Sequence, residues 1–127
     1  MHRRLPIELT EYGYETNPPN PLRGIPLPRQ AAYLDQAQYL VWQDPRVGSL
    51  AQFLLLDAAP DRACPRGSPG YWSTFQTGLV FRDGVHKPSY DAYRLPIFVP
   101  DPVAIAETST LVRGMLRPAP NGSTQHA

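Results

Sequence analysis

Residues 49–56 form an almost unbroken apolar run, SLAQFLLL, and this run limits the folds that the chain can adopt. A run of this length is typical of a strand in a parallel sheet that is covered on both faces. Asp57 follows directly and is expected to end the strand. The run therefore predicts a buried parallel strand, which needs a neighbouring strand and a helix that connects the two.

The residues before the run supply both elements. Residues 5–12 alternate as a strand does, which places Glu11 at the end of an otherwise apolar face. Residues 30–43 have the apolar spacing of a helix, and Asp44 followed by Pro45 stops it. The order of strand, helix and strand is typical of an α/β protein with a parallel sheet.

Proline confines regular structure to a few segments. The chain has 16 prolines in 127 residues, well above the usual share of roughly 5%. They predict loops at residues 17–28 and 58–70, followed by a hairpin at residues 79–86 and a short helix at residues 89–94. From residue 100 onward the pattern changes and predicts either a disordered tail or the first strand of another β-domain.

Two parallel strands with two helices do not make a closed fold. Parallel strands bury both faces and need neighbours on each side. Open sheet edges and an uncovered sheet face invite aggregation. We therefore expect the chain to be part of a larger protein, or the predicted strands to be wrong.

Two segments resemble a known enzyme family. Residues 9–14, LTEYGY, resemble the seventh strand of the retaining (β/α)8-barrel glycoside hydrolases of the cellulase-like clan. Residues 77–90, TGLVFRDGVHKPSY, resemble the segment that joins the eighth strand of these barrels to their last helix. The order and spacing of the two segments match the closing portion of such a barrel, and the likeness extends over residues 5–96.

The resemblance implies that the chain is the C-terminal part of a (β/α)8 (TIM) barrel, a fold of about 250 residues. Residues 1–99 would hold its last two βα units. Residues 100–127 would be a tail or the truncated start of a β-sandwich domain, and residues 114–118, GMLRP, weakly resemble the opening of such an accessory domain.

The resemblance also implies that Glu11 is the nucleophile. A retaining mechanism needs a second carboxyl about 5–5.5 Å away to protonate the leaving oxygen. The family carries this acid after an Asn-Glu pair, and no Asn precedes a Glu in this sequence. We therefore expect the chain alone to be inactive and to need the N-terminal part of its own barrel. Glu8, Glu15, Asp57 and Glu107 are weaker candidates for the acid.

Six residues in or beside the predicted barrel mouth are candidates for binding a carbohydrate substrate. Aromatic rings offer flat apolar surface to the C–H faces of sugars, and Trp72 is the preferred platform. The amides and the carboxylate could bond sugar hydroxyls, but a structural role among backbone partners suits them equally well. The candidates are Tyr12, Tyr14, Gln52, Asp57, Trp72 and Gln76.

Several functions are disfavoured by composition. With 12 basic and 11 acidic residues, the chain has no basic footprint for nucleic acid and no polybasic membrane surface. Cys64 is alone and the histidines are scattered, so we expect no disulfide, metal or cofactor.

An Asn-Gly-Ser sequon begins at Asn121. The localisation stays open, although a secreted parent is expected for such an enzyme.

Two other functions compete with the glycoside hydrolase hypothesis. Residues 17–28 could act as an extended polyproline ligand in a non-catalytic interaction module. A carbohydrate-binding remnant that uses Trp72 and the tyrosines is the third possibility.

Overall fold

The computed structural model describes residues 5–101, 103 and 105–115, which form a small mixture of strands and helices. The helices are α1 (Leu27–Gln43) and α2 (Pro88–Arg94). The strands are β1 (Ile7–Tyr12), β2 (Thr16–Asn17), β3 (Ile25–Pro26), β4 (Val47–Gln52), β5 (Ile97–Phe98) and β6 (Arg113–Gly114).

β1, α1 and β4 form a parallel strand–helix–strand unit. β1 pairs with β4, with Leu9 opposite Leu50 and the register shifting on either side. α1 carries Pro28 in its first turn, where the missing N–H is not needed, and ends at Gln43, with Asp44 as its C-cap before Pro45. The predicted strand, helix and parallel strand are therefore confirmed, although α1 starts three residues earlier than expected.

α1 covers one face of this sheet. The Tyr12 hydroxyl donates a hydrogen bond to the backbone carbonyl of Tyr33 in α1 at 3.1 Å. Tyr12 also packs against the core residue Leu34. Glu11 is exposed. The pairing of β1 with β4 shifts register between Leu9 and Tyr12, so the strict alternation that was predicted to place Glu11 on one face with Ile7 and Leu9 is interrupted. α2 packs against α1.

The prediction for the apolar run was partly wrong. β4 ends at Gln52, because Leu54 has a φ of 70°, a left-handed conformation that interrupts a strand. Beyond β4, Leu56 forms a single parallel bridge to Val80, a different partner from β1. The expected covering of both faces is absent from the described residues, since Leu55 is 64% exposed. Within this part of the chain, no further layer packs on the sheet.

The proline-rich segment at residues 17–28 is not a plain loop as expected. β2 and β3 pair in parallel within it, and α1 begins at Leu27. The hairpin prediction survives only as one antiparallel bridge between Val80 and His86, with a turn at Gly84. The short helix at residues 89–94 is confirmed as α2.

The apolar core is small. It contains Leu34, Leu79 and Val80, with tyrosines packed around it. After α2 the chain forms β5, which pairs in antiparallel fashion with β6. Residues 116–118 of the expected β-domain opening and the sequon at Asn121 lie outside the described residues.

Candidate functional site

The most deeply buried charges lie where β2 meets the loop after β4 and the start of α2. Lys87 Nζ is 2.7 Å from Asp57 Oδ1, and their side chains are 0% and 2% exposed. Lys87 also donates to Thr16 Oγ1 at 2.8 Å and to the backbone carbonyl of Gln76 at 3.3 Å. These three acceptors match the three N–H donors of an ammonium group.

Asp57 is held by two donors on one oxygen. Oδ1 accepts from Lys87 and from the backbone N–H of Gly78 at 2.9 Å. A Cβ at Gly78 would lie 2.5 Å from the backbone nitrogen of Asp57, so this approach requires glycine. The second oxygen, Oδ2, is buried without a hydrogen-bond partner.

Burial dominates the titration of this pair. Loss of hydration raises the pKa of Asp57 and lowers the pKa of Lys87, while their mutual contact opposes both shifts. Each group therefore depends on its partner to stay charged in the interior. The pair joins β2 (Thr16) to the loop after β4 (Asp57) and to the start of α2 (Lys87).

A cavity of about 300 Å³ lies beside the pair. Pro18, Pro19 and Phe81 supply apolar walls, and Asp57 and Trp72 also line it. Trp72 Nε1 is buried without a hydrogen-bond partner, as is Asp57 Oδ2. The cavity is therefore bordered by one residue with an unused donor and one with an unused acceptor.

Glu11 does not line this cavity. It is next to the last residue of β1 and is exposed, and its carboxylate makes no hydrogen bond or ion pair with another described residue. The structure thus brings Asp57, Trp72 and Gln76 to one cavity and leaves Glu11 at a separate place.

The other predicted substrate-binding residues interact with neighbouring groups of the fold. Burial raises the pKa of Tyr12, and the neighbouring Tyr14 raises it further. The Tyr12 hydroxyl is bonded to α1. The Tyr14 ring contacts the rings of Tyr12 and Tyr33. Gln52 donates to the backbone carbonyls of Phe53 and Thr77.

Gln76 is 1% exposed and is bonded on several sides. Its amide donates to Thr74 Oγ1 at 2.7 Å, and its side-chain oxygen lies 3.5 Å from Asn20 Nδ2. Both glutamines therefore have backbone or side-chain partners within the fold.

Of the carboxylates considered as the second catalytic group, three bind other side chains and the fourth lies near the C-terminal end of the described residues. Glu8 accepts from Ser49 Oγ. Glu15 accepts from Asn20 Nδ2 and pairs with Arg23 at 3.3 Å. Asp57 is paired with Lys87, and Glu107 is exposed in the segment before β6. None of the three nearest in sequence to the strand ends is free to act as the acid.

The burial of Lys87, Thr16 and Asn20 was not predicted from the sequence. A lysine between a hairpin and a helix is normally solvated, and only a partner distant in sequence makes its burial possible. Asp57 is the sequence signal that could have predicted the burial of Lys87. An aspartate at the end of an apolar run must bind a cation or take up a proton when it is buried.

Comparison with protein-family models, curated proteins and solved structures found no match to this chain. Within residues 5–101, 103 and 105–115, no cluster of His, Cys, Asp and Glu could hold a metal ion. In the same residues, neither helix has the length and apolar character needed to cross a bilayer.

Proposed function

We propose that this chain is the closing part of a retaining glycoside hydrolase barrel in which Glu11 is the nucleophile. The observation that carries the proposal is the placement of Glu11. An exposed carboxylate, without an ion-pair partner among the described residues, is next to the last residue of a parallel strand. In a (β/α)8 barrel, active sites lie at the C-terminal ends of the strands.

The packing supports this proposal. Apolar side chains that a barrel would enclose are exposed, among them Leu55 at 64% and Leu56 at 44%. β1 precedes α1 in the sequence, β4 follows it, and the two strands pair in parallel. This strand–helix–strand arrangement is the repeating unit of such barrels. The six preceding βα units would supply the remaining strands and the general acid.

The proposed reaction has two steps. Glu11 attacks the anomeric carbon, the bond to the leaving oxygen breaks, and the second carboxylic acid gives that oxygen its proton. Water then attacks the glycosyl ester while the second group takes a proton from it, which frees Glu11. Because Glu8, Glu15 and Asp57 have other partners, the acid belongs to the rest of the barrel.

The test uses the natural polypeptide that contains this chain, with aryl glycosides as substrates. Glu11→Gln should lower kcat on the order of 10³-fold or more, as expected for a residue that bonds to the substrate. Glu8→Gln is the matched control, because Glu8 lies on the same strand and faces Ser49. It should leave kcat within a few-fold of the original.

Azide separates a nucleophile from a structural residue. Glu11→Gly should regain turnover when azide is added and should release a glycosyl azide, because the small anion replaces the missing carboxylate. Glu8→Gly should not form this product. Full activity of Glu11→Gln would overturn the proposal.

The polyproline-ligand alternative finds less support. Polyproline II helices have no internal hydrogen bonds. In the described residues 17–28 the backbone N–H of Asn20 bonds to Thr16 and that of Gly24 bonds to Asn20. Asn20 is fully buried, so the segment is folded against the rest of the chain.

A further inference from the structure

A second cavity lies between α1 and the β5–β6 pair. Tyr39 and Trp42 of α1 and Phe98 of β5 line it. The Tyr39 ring lies 4.8 Å from the Phe98 ring and 6.4 Å from the Trp42 ring, measured between centroids, so the three rings form one apolar wall. The volume is about 130 Å³, below the roughly 300–1,000 Å³ of pockets for drug-sized ligands. The cavity therefore suits a small ligand with an apolar part.

Two opposite charges line this cavity without pairing with each other. Asp35 comes from α1 and Arg113 from β6. Among the ion pairs of the described residues, none includes either of them. The Arg113 guanidinium lies instead over the Trp42 ring, 4.5 Å from its centroid. The cavity therefore has one carboxylate and one guanidinium whose charges no described side chain balances.

The surroundings of Asp35 favour a positively charged ligand group beside it. The backbone N–H of Ile97 donates a hydrogen bond to Asp35, but burial outweighs this bond and raises the pKa of the carboxyl to about 6. Above that pH the carboxylate is charged while partly removed from water. A cation next to such a carboxylate stabilises the charged form.

The two charges together select the ligand class. A ligand with only an ammonium group is attracted by Asp35 and repelled by Arg113, and a ligand with only a carboxylate meets the opposite combination. A ligand that has both groups is attracted at each end. An ammonium group donates hydrogen bonds to a carboxylate, and a guanidinium binds a carboxylate through two parallel hydrogen bonds.

We propose that this cavity binds a small zwitterion, with the ammonium group of the ligand at Asp35, its carboxylate at Arg113 and its short apolar skeleton against the aromatic wall. Amino acids with small side chains have this combination of groups. The site shares no residue with Glu11 or with the cavity beside the Asp57–Lys87 pair. It does not depend on Glu11 being a nucleophile.

The indole N–H resonances of the chain give a direct test. The sequence has two tryptophans, Trp42 and Trp72, so a ¹⁵N-labelled sample of the full chain should show two indole signals, assigned with Trp42→Phe and Trp72→Phe. The probes are glycine, L-alanine and β-alanine, titrated at constant ionic strength and about pH 7.5, where the Asp35 carboxylate is ionised. We expect saturable movement of the Trp42 signal at millimolar probe, with the Trp72 signal unchanged. Ethylammonium and acetate, which carry one charge each, should need higher concentrations than the best zwitterion.

Variants identify the two charged contacts. Asp35→Asn and Arg113→Gln should each weaken binding of the zwitterions roughly 10-fold or more, because each removes a hydrogen bond between charged groups. Asp35→Asn also removes the repulsion of anions, so acetate should move the Trp42 signal at lower concentration than in the original chain. Arg94→Gln is the matched control, because Arg94 is an exposed arginine that does not line the cavity. Arg94→Gln and Glu11→Gln should bind as the original chain does, so loss of the proposed catalysis and loss of this site give different results.

Three outcomes would overturn the inference. One is that none of the three zwitterions moves the Trp42 signal. Another is that ethylammonium or acetate moves it at lower concentration than every zwitterion. The third is that Asp35→Asn or Arg113→Gln binds the zwitterions as tightly as the original chain.

Discussion

At the scale of single residues, the Asp57–Lys87 pair is the feature on which the local structure most depends. Two charges 2.7 Å apart are almost completely removed from water. Burial of an ion pair is costly, but breaking it by removing one partner is costlier, because the other charge is left alone. The pair is therefore expected to hold the loops in one arrangement more than to add net stability.

Replacing Lys87 with methionine should show this dependence. The variant leaves Asp57 as an uncompensated buried charge, and the free energy of unfolding should fall by about 3–5 kcal/mol. The double variant Asp57→Asn with Lys87→Met has no such charge and should be more stable than Lys87→Met alone. Urea unfolding at pH 7 measures both, and a double variant less stable than the single one would contradict the prediction.

Asp35 gives a prediction about pH. Burial raises its pKa from 3.8 to about 6, although a hydrogen bond from the backbone of Ile97 lowers it. The folded chain thus holds this proton more tightly than the unfolded chain. The resulting stabilisation is complete below pH 3.8 and is lost as the pH rises to about 6.

Asp35→Asn removes this titration with little change of shape. Relative to Asp35→Asn, the original chain should lose stability between about pH 4 and pH 6 in urea unfolding. Glu107→Gln, at an exposed position, is the control and should follow the original chain. A constant difference between the original chain and Asp35→Asn over this range would contradict the assignment.

At the scale of elements, local pattern predicted β1, α1 and α2 but not what α1 buries. The buried positions of α1 are Gln30, Leu34 and Gln38, so two of the three are polar. Gln30 bonds to carbonyl groups of Tyr14, Thr77 and Gly78 and accepts from Ser89. These partners come from three distant segments, and periodicity in one helix carries no information about them.

Gln30→Leu should therefore destabilise the fold despite its added apolar surface. The change leaves several buried groups without a partner, at a cost of about 1–3 kcal/mol. Gln36→Leu is the matched control, because Gln36 is an exposed glutamine on the same helix. Thermal unfolding compares the two, and equal stability would show that the Gln30 network contributes nothing.

The residues of the candidate site also fall into those that local pattern predicts and those that depend on distant partners. Asp57 was predicted because it follows an apolar strand pattern, and strand ends are local features. Glu11 was predicted for the same reason, but it lies outside the cavity beside Asp57. Lys87 was missed because its burial depends on Thr16 and Asp57, which lie 71 and 30 residues away. The early end of β4 was missed as well, since apolar residues continue past the left-handed Leu54.

At the scale of the whole molecule, apolar surface remains uncovered. The apolar core contains Leu34, Leu79 and Val80, whereas Leu55 and Phe75 are 64% and 52% exposed. Large exposed apolar surfaces mark interaction sites or promote association. This imbalance is what a barrel segment without its neighbouring strands would show.

The isolated chain should therefore self-associate as its concentration rises. Leu55→Gln should reduce the association seen in sedimentation velocity, because it places an amide in the exposed apolar run after β4. Val103→Gln, at a position 79% exposed and outside the strands and helices, is the control. If Val103→Gln reduced association more than Leu55→Gln, the uncovered strand region would not be the cause.

The most direct test of the central claim is to trap the sugar on Glu11. The natural polypeptide that contains this chain is treated with 2,4-dinitrophenyl 2-deoxy-2-fluoro-glycosides, whose leaving group departs without help from an acid. Tryptic peptides are then sequenced by mass spectrometry. Residues 5–23 form one tryptic peptide that contains Glu8, Glu11 and Glu15. We predict a single fluoroglycosyl ester on Glu11; inactivation with the label on any other residue, or no label with any of the sugars, would contradict the claim.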